Sequence, residues 1–256
     1  MWAEPRLLNS AASALYALAL FLALYAAGFM LAHSPAFPLR AIRVHGDLEK
    51  VKRGQIVDAL QGRVSGTFFT CDIEAVRSMF QTIPWVRRAQ VRRYWPDRLE
   101  VTLEEHVALA RWGQGAEGRV VNTRGELFTG RLDEERAAHL PLFVGPEGSE
   151  QEIARSYAHF LELLAPISLR LRSISLSPRR SWSIVLTNGL TVQLGHDGEK
   201  DPVRLRLARF VEVYPRTLAR SSGRLKYVDL RYPNGFALRI PDIQGTQSRN
   251  STQRES

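Results

Sequence analysis

The stretch Val86-Arg87-Arg88-Ala89-Gln90-Val91-Arg92-Arg93-Tyr94, then Trp95-Pro96-Asp97-Arg98, then Leu99-Glu100-Val101-Thr102-Leu103-Glu104-Glu105, decides how the first half of the chain is read. Leu99, Val101 and Leu103 alternate with polar residues, the period of a strand with one buried face. Ala89 and Val91 keep the same period in the preceding segment. The proline-containing tetrapeptide between the two segments is a turn, so this region reads as two paired strands.

Working upstream, Asp72 stands in the position of an N-cap ahead of Ile73, Val76, Met79 and Phe80, which share one helical face; Pro84 stops that helix. Cys71, the single cysteine, cannot form an intramolecular disulfide and reads as a buried or cap-adjacent thiol. Val51, Ile56, Val57 and Leu60 predict an earlier helix with an apolar face, ended by Gly62. Leu39–Val44 predicts a strand with Ile42 and Val44 on one face. The order over residues 39–106 is β-α-α-β-β, a small α+β module with its helices on one face of the sheet.

Further upstream, no charged residue occurs from Ala11 to Ala32. About 20 apolar residues suffice to cross a hydrocarbon core. The stretch exceeds the roughly 7–15 residues of a secretory signal's apolar region, so it reads as a retained transmembrane helix. Residues 1–10 are then a short N-terminus, and residues 33–38, His-Ser-Pro-Ala-Phe-Pro, a linker. The preceding flank carries Glu4 and Arg6, and the following one Arg40, Arg43, Lys50, Lys52 and Arg53. The positive-inside count would keep the second flank in the cytoplasm.

Downstream of the hairpin the pattern changes. Val120-Val121 and Leu127-Phe128, set among glycines between Trp112 and Phe128, predict a hairpin with turns. Gln151–Leu164 has helical periodicity through Ile153, Tyr157, Phe160, Leu161 and Leu164. Leu169–Leu176 alternates as a strand. Trp182–Thr187 and Leu190–Leu194 flank Asn188-Gly189, a strong signal for a tight hairpin. Asp201 is expected to cap a helix that turns Val203, Leu207, Phe210, Val211 and Tyr214 inward. Leu225–Leu230 and Phe236–Ile240 predict two closing strands around Pro233-Asn234-Gly235. Residues 107–240 thus read as a mixed β domain with an exposed terminal edge strand. Residues 241–256 have no apolar run and read as a disordered tail.

The 256 residues carry a formal net charge of +9, which favours polyanions in general. Arg87–Arg93 is the densest basic stretch, but no base-reading element accompanies it, so nucleic acid is not expected. An anionic surface near the membrane accounts for it as well. His33, His45, His106, His139, His159 and His196 show no metal-ligand spacing. Gly113-Gln114-Gly115 is not followed by a helix start and reads as a surface turn. No Gly-x-Ser-x-Gly elbow occurs. Glu104-Glu105 and Asp133-Glu134-Glu135 are adjacent in sequence and read as solvated charges. No catalytic residue, cofactor, metal or small-molecule substrate is expected.

Pro84–Val101, with its Trp95-Pro96-Asp97 turn, resembles the second half of the POTRA domain of the FtsQ/DivIB family of bacterial cell-division proteins. Glu105-His106-Val107-Ala108-Leu109-Ala110-Arg111-Trp112 is similar to the family's passage into its β domain, although Ala108 stands where proline is common. Leu186-Thr187-Asn188-Gly189-Leu190 with Leu194-Gly195, and Tyr227-Val228-Asp229-Leu230-Arg231-Tyr232-Pro233-Asn234-Gly235-Phe236-Ala237, resemble its hairpin and its closing strand pair. The match runs in order over residues 7–240. It implies a non-enzymatic, single-pass inner-membrane scaffold of the divisome at the septum. Its N-terminus would be cytoplasmic and its body periplasmic. It would bind FtsB and FtsL and link them to septal cell-wall synthesis. The resemblance carries the partner-binding residues onto Arg231, Tyr232, Asn234 and Gly235, with Phe236 and Arg239 on the strand that follows. Arg239 stands where the family often has a small residue. The alternative is another POTRA-bearing membrane-assembly or transport component, which would usually carry several POTRA units or a long barrel.

Overall fold

A computed structural model describes residues 5–34, 36–61, 64–113, 118–199, 201–218, 225–232 and 235–239. It divides into two compact units, Met1–His106 and Val107–Ser256. Gly62, the expected stop of the first short helix, and the expected tail at 241–256 lie outside the described residues.

The first unit opens with α1 (Pro5–Ala32). Its portion Asn9–Ala32, 24 residues, is long and apolar enough to cross a membrane and is nowhere buried by the rest of the chain. At 1.5 Å per residue that portion spans roughly 36 Å, more than the hydrocarbon thickness of about 30 Å. Leu15, Leu18, Phe21, Leu22 and Phe29 all point outward, a surface suited to lipid tails and costly in water. The helix fits a single-pass membrane protein.

Then come β1 (Ala41–His45), α2 (Arg53–Leu60), α3 (Ile73–Gln81), β2 (Val86–Tyr94) and β3 (Arg98–Glu105), in the β-α-α-β-β order that the alternation predicts. The sheet order is β1-β3-β2. β1 runs parallel to β3, with Val44 opposite Val101, and the helical crossover makes that pairing possible. β2 runs antiparallel to β3, placing Ala89 opposite Leu103 and Val91 opposite Val101. Leu99 and Val101, on the central strand, are fully buried together with Val76 and Phe80 of α3. Asp72 caps α3 as expected, its Oδ1 accepting from the amides of Glu74 and Ala75 at 2.9 and 3.0 Å. Cys71, just before the cap, is buried, and burial pushes its thiol up from the usual range.

Two expectations fail in this unit. The apolar face assigned to α2 is not a core face: α2 buries none of its residues and Val57 is exposed. The helix packs chiefly against α3, and burial falls instead to Val51, ahead of its first turn. Glu104 and Glu105 are not simply solvated charges. Glu104 pairs with the Arg87 guanidinium at 3.0 Å. The Glu105 carboxylate accepts from three consecutive amides, those of Glu49, Lys50 and Val51, at 3.1, 3.0 and 2.7 Å. It thereby closes the chain between β1 and α2 onto the end of β3.

The second unit contains β4 (Ala108–Trp112), β5 (Arg119–Asn122), β6 (Leu127–Thr129), α4 (Glu134–His139), β7 (Leu142–Val144), α5 (Glu150–Leu164), β8 (Leu171–Leu176), β9 (Ser181–Leu186), β10 (Thr191–His196), α6 (Val203–Val213), β11 (Tyr227–Asp229) and β12 (Ala237–Arg239). All the strands join one sheet in the order β12-β11-β10-β9-β8-β7-β4-β5-β6. The pairs β4–β7, β7–β8 and β10–β11 are parallel and the rest antiparallel, so the sheet is mixed. The protein is α+β overall. Ile153, Phe160 and Leu164 of α5 and Leu207 and Phe210 of α6 share one core with Ile174, Ile184, Val192, Leu194 and Val228 of the strands.

The Asn188-Gly189 turn forms as predicted between β9 and β10. Gly189 takes a φ of +83°, and Asn188 Oδ1 accepts from the Leu190 amide at 3.1 Å. Asp201 does not cap α6. The N-cap is Pro202, and the first-turn amide of Val203 is satisfied by Asp197 Oδ1 at 2.9 Å. Asp201 is occupied instead by Arg209 at 2.7 Å and by the buried Arg206 at 3.3 Å. Arg206 also donates to the carbonyls of Leu194 and His196, stitching α6 to the end of β10.

Candidate partner-binding edge

β12 ends the nine-stranded sheet: β11 lies on one side of it, and among the described residues no strand lies on the other. Which of its backbone groups face outward follows from the ladder. β11 is parallel to β10, with Thr191 donating to the Lys226 carbonyl at 3.0 Å and Leu230 donating to the Gln193 carbonyl at 2.9 Å. The Lys226 carbonyl, the Val228 backbone and the Leu230 amide therefore turn toward β10, and the alternation turns Tyr227 and Asp229 toward β12. Their opposite residues are Arg239 and Ala237. The Arg239 carbonyl faces β11, accepting from the Lys226 amide at 3.4 Å where the chain enters that strand. Leu238, between them, directs its N–H and C=O away from the sheet.

The side chains around this edge divide into two groups. Tyr232 and Leu238 are 56% and 47% exposed, large apolar surface that nothing among the described residues covers. Gly235 is also exposed, and a Cβ there would meet nothing within 4 Å. Phe236 is half-buried and packs against the domain core, so it anchors the start of β12. Arg239 is exposed on the strand itself, and Asn234 lies outside the described residues.

Arg231 is held from within. Its guanidinium grips Asp229, with Nη2 at 2.6 Å from Oδ2 and Nε at 2.9 Å from Oδ1. This bonding, ahead of the opposing push of burial, holds the Asp229 carboxyl below the usual carboxylate range, and it raises the Arg231 guanidinium. Gly195 makes room for the arginine stem. It sits at a bulge in β10 with φ +78°, where a Cβ would come within 2.8 Å of Arg231 Cγ. The structure thus brings Arg231, Tyr232, Gly235, Phe236 and Arg239 to one end of the sheet. Leu238 joins them although the sequence reading did not single it out. Its signal is the phase of the β10–β11 ladder, which no local pattern carries.

An apolar N-terminal helix, a β-α-α-β-β module and a mixed sheet ending in an open strand define an anchored POTRA protein. Residues 37–106 match the family model described as POTRA domain, FtsQ-type, and residues 110–231 match that of cell division protein FtsQ/DivIB, C-terminal. The chain is 45% identical to cell division protein FtsQ of Burkholderia pseudomallei, covering 95% of this chain and 96% of that one. It is 39% identical to cell division protein FtsQ of Nitrosospira multiformis, covering 93% and 99%. With the Escherichia coli protein of the same name the identity is 35% over 74% of this chain and 69% of that one. The chain belongs to the FtsQ/DivIB family of cell-division proteins.

Proposed function

We propose that this chain is a non-enzymatic scaffold of the divisome that captures a strand of an FtsB-type partner along β12, and through it FtsL and septal cell-wall synthesis. The observation that carries the reading is the open edge of β12, with the Leu238 amide and carbonyl directed outward beside exposed Tyr232. An incoming strand takes generic affinity from such backbone groups and specificity from neighbouring side chains. Tyr232 offers an aromatic face and a hydroxyl, and Arg239 offers a charge to an acidic partner.

In this reading residues 1–10 are cytoplasmic, α1 crosses the inner membrane once, and the body from residue 37 is periplasmic at the division septum. The flank charges count the other way, so a reporter active only in the periplasm, fused after residue 240, decides: activity supports this topology and silence reverses it. Partner capture is tested with the full chain in detergent, titrated with the periplasmic segment of FtsB. Tyr232→Ala weakens binding by roughly 1–3 kcal/mol, the range of an interface anchor, with an unchanged circular dichroism spectrum. Undiminished affinity in a folded Tyr232→Ala protein removes this edge as the site.

A further inference from the structure

We propose that the aromatic cluster of Phe37, Phe69 and Trp95, floored by Phe68, seats in the boundary between headgroups and acyl chains of the bilayer that α1 crosses. The POTRA module would thereby be docked on the membrane surface. The inference rests on α1 being a membrane span.

The rings form one connected group. Phe37 lies 5.2 Å from Phe69 and 6.0 Å from Trp95, and Phe68 lies 5.2 Å from Phe69 and 5.8 Å from Trp95, centroid to centroid. Phe68 is buried, whereas Phe69 and Trp95 are 44% and 61% exposed, with exposed Tyr94 beside them. So much aromatic surface open to water on a rigid support marks a surface that something covers. The support is rigid because Arg93 donates to the carbonyls of Phe68, Phe69 and Cys71 at 2.8, 3.2 and 2.8 Å, which fixes this loop to β2.

The covering surface is indicated by where the cluster is tied. α1 ends at Ala32, and the Ala32 carbonyl accepts from Thr67 Oγ1 at 2.7 Å, one residue before Phe68. Phe37 follows Ala32 by only five residues, at most about 18 Å of extended chain. It is then paired back, its carbonyl accepting from Phe68 at 3.0 Å. A span ending at Ala32 therefore brings these rings to the level of the headgroups, where tryptophan and tyrosine are favoured because one part of the ring is apolar and another hydrogen-bonds.

The charges beside the rings agree. Arg40 and Arg98 flank the Asp97 carboxylate, at 4.0 and 3.4 Å, while exposed Arg92 lies opposite Glu100 in the ladder. Arg40 is largely exposed, and its amide donates to the Asp97 carbonyl at 2.9 Å. Exposed arginine at the margin of an aromatic patch suits an anionic bilayer surface.

The test uses the full chain reconstituted into phosphatidylcholine–phosphatidylglycerol vesicles, with no other protein present. The emission of Trp95 is taken as wild type minus Trp95→Phe, a substitution at an exposed ring. The expected result is a blue-shifted difference spectrum, strongly quenched by lipids brominated near the headgroup, less by lipids brominated near the chain ends, and little by aqueous iodide. A difference spectrum quenched by iodide and untouched by brominated lipid places the ring in water and overturns the proposal. That is also the outcome if a protein partner covers the cluster. Alkaline carbonate extraction of the same vesicles reports on the anchor separately. Retained protein with an aqueous Trp95 ends the docking inference alone. Released protein ends the span reading and this inference with it.

Discussion

Arg231 clasps Asp229 from two positions further along the chain, with its Nη2 at 2.6 Å from Oδ2 and its own amide at 3.0 Å from Oδ1. The aspartate is buried on β11 while the arginine side chain is half-exposed. The pair fixes the chain at residues 229–231, where it leaves β11.

The first prediction follows from that pairing. The bonds from Arg231 hold the Asp229 carboxyl below its usual value. A depressed carboxylate stabilises the fold above its unfolded value, about pH 4, and that contribution is lost as pH falls through the folded value. Asp229→Asn should lower the stability of the β domain by about 1 kcal/mol at neutral pH, a value that allows for solvent screening on Arg231. Thermal melts across a pH series should show the gap to wild type closing as the acid limb is reached. A gap independent of pH would mean the ion pair is not its source.

The second concerns the POTRA core. Val101 is fully buried on the central strand, opposite Val44 on one side and Val91 on the other. Val101→Asp places a carboxylate there with no partner, at a cost of several kcal/mol. The module should lose its cooperative unfolding transition, while Val101→Ile should keep it. An unchanged melt for Val101→Asp would contradict the register of β2 and β3.

The third concerns Glu105, whose carboxylate binds the amides of Glu49, Lys50 and Val51. Glu105→Ala should destabilise the module by about 1–3 kcal/mol, the range for orphaning amides that a charged acceptor satisfied. Glu105→Gln, with one acceptor oxygen, should fall between. Hydrogen exchange at residues 49–51 should rise in the same order. Equal protection in all three proteins would show that other groups close this loop.

The sequence makes the POTRA half legible because its signals are local: alternation in Leu99–Glu105, the Asp72 cap, and Pro84 after Phe80. The Asn188-Gly189 hairpin is legible for the same reason. α4 and β7, with 6 and 3 residues, are too short to show a period. Asp201 misleads because an acid ahead of an apolar helix face looks like a cap, whereas two arginines one and two turns along the helix, Arg206 and Arg209, claim it in space. Glu105 misleads because its three amide partners lie more than fifty residues away. At the candidate edge, Tyr232 and Gly235 are visible as turn residues, but the outward amide of Leu238 depends on the pairing of two other strands.

That ladder phase yields the last prediction. Ala237 is opposite Asp229 and turns its N–H inward, so Ala237→Pro removes a donor to β11 and should destabilise the domain by about 1 kcal/mol. Leu238→Pro removes a donor that faces away from the sheet. It should leave the melt near wild type and weaken capture of an FtsB strand roughly tenfold, the equivalent of one backbone hydrogen bond. Leu238→Ala keeps the amide and trims the exposed side chain, so it separates the backbone contribution from the side-chain one. Titration of the full chain in detergent, with a melt of each variant in parallel, reads both effects. If Ala237→Pro melts normally but binds poorly, and Leu238→Pro unfolds, the phase of β12 is the reverse of the one described. If folded Leu238→Pro binds as wild type does, no partner strand pairs with β12, and the exposed surface of Tyr232 and Leu238 must act through side chains alone.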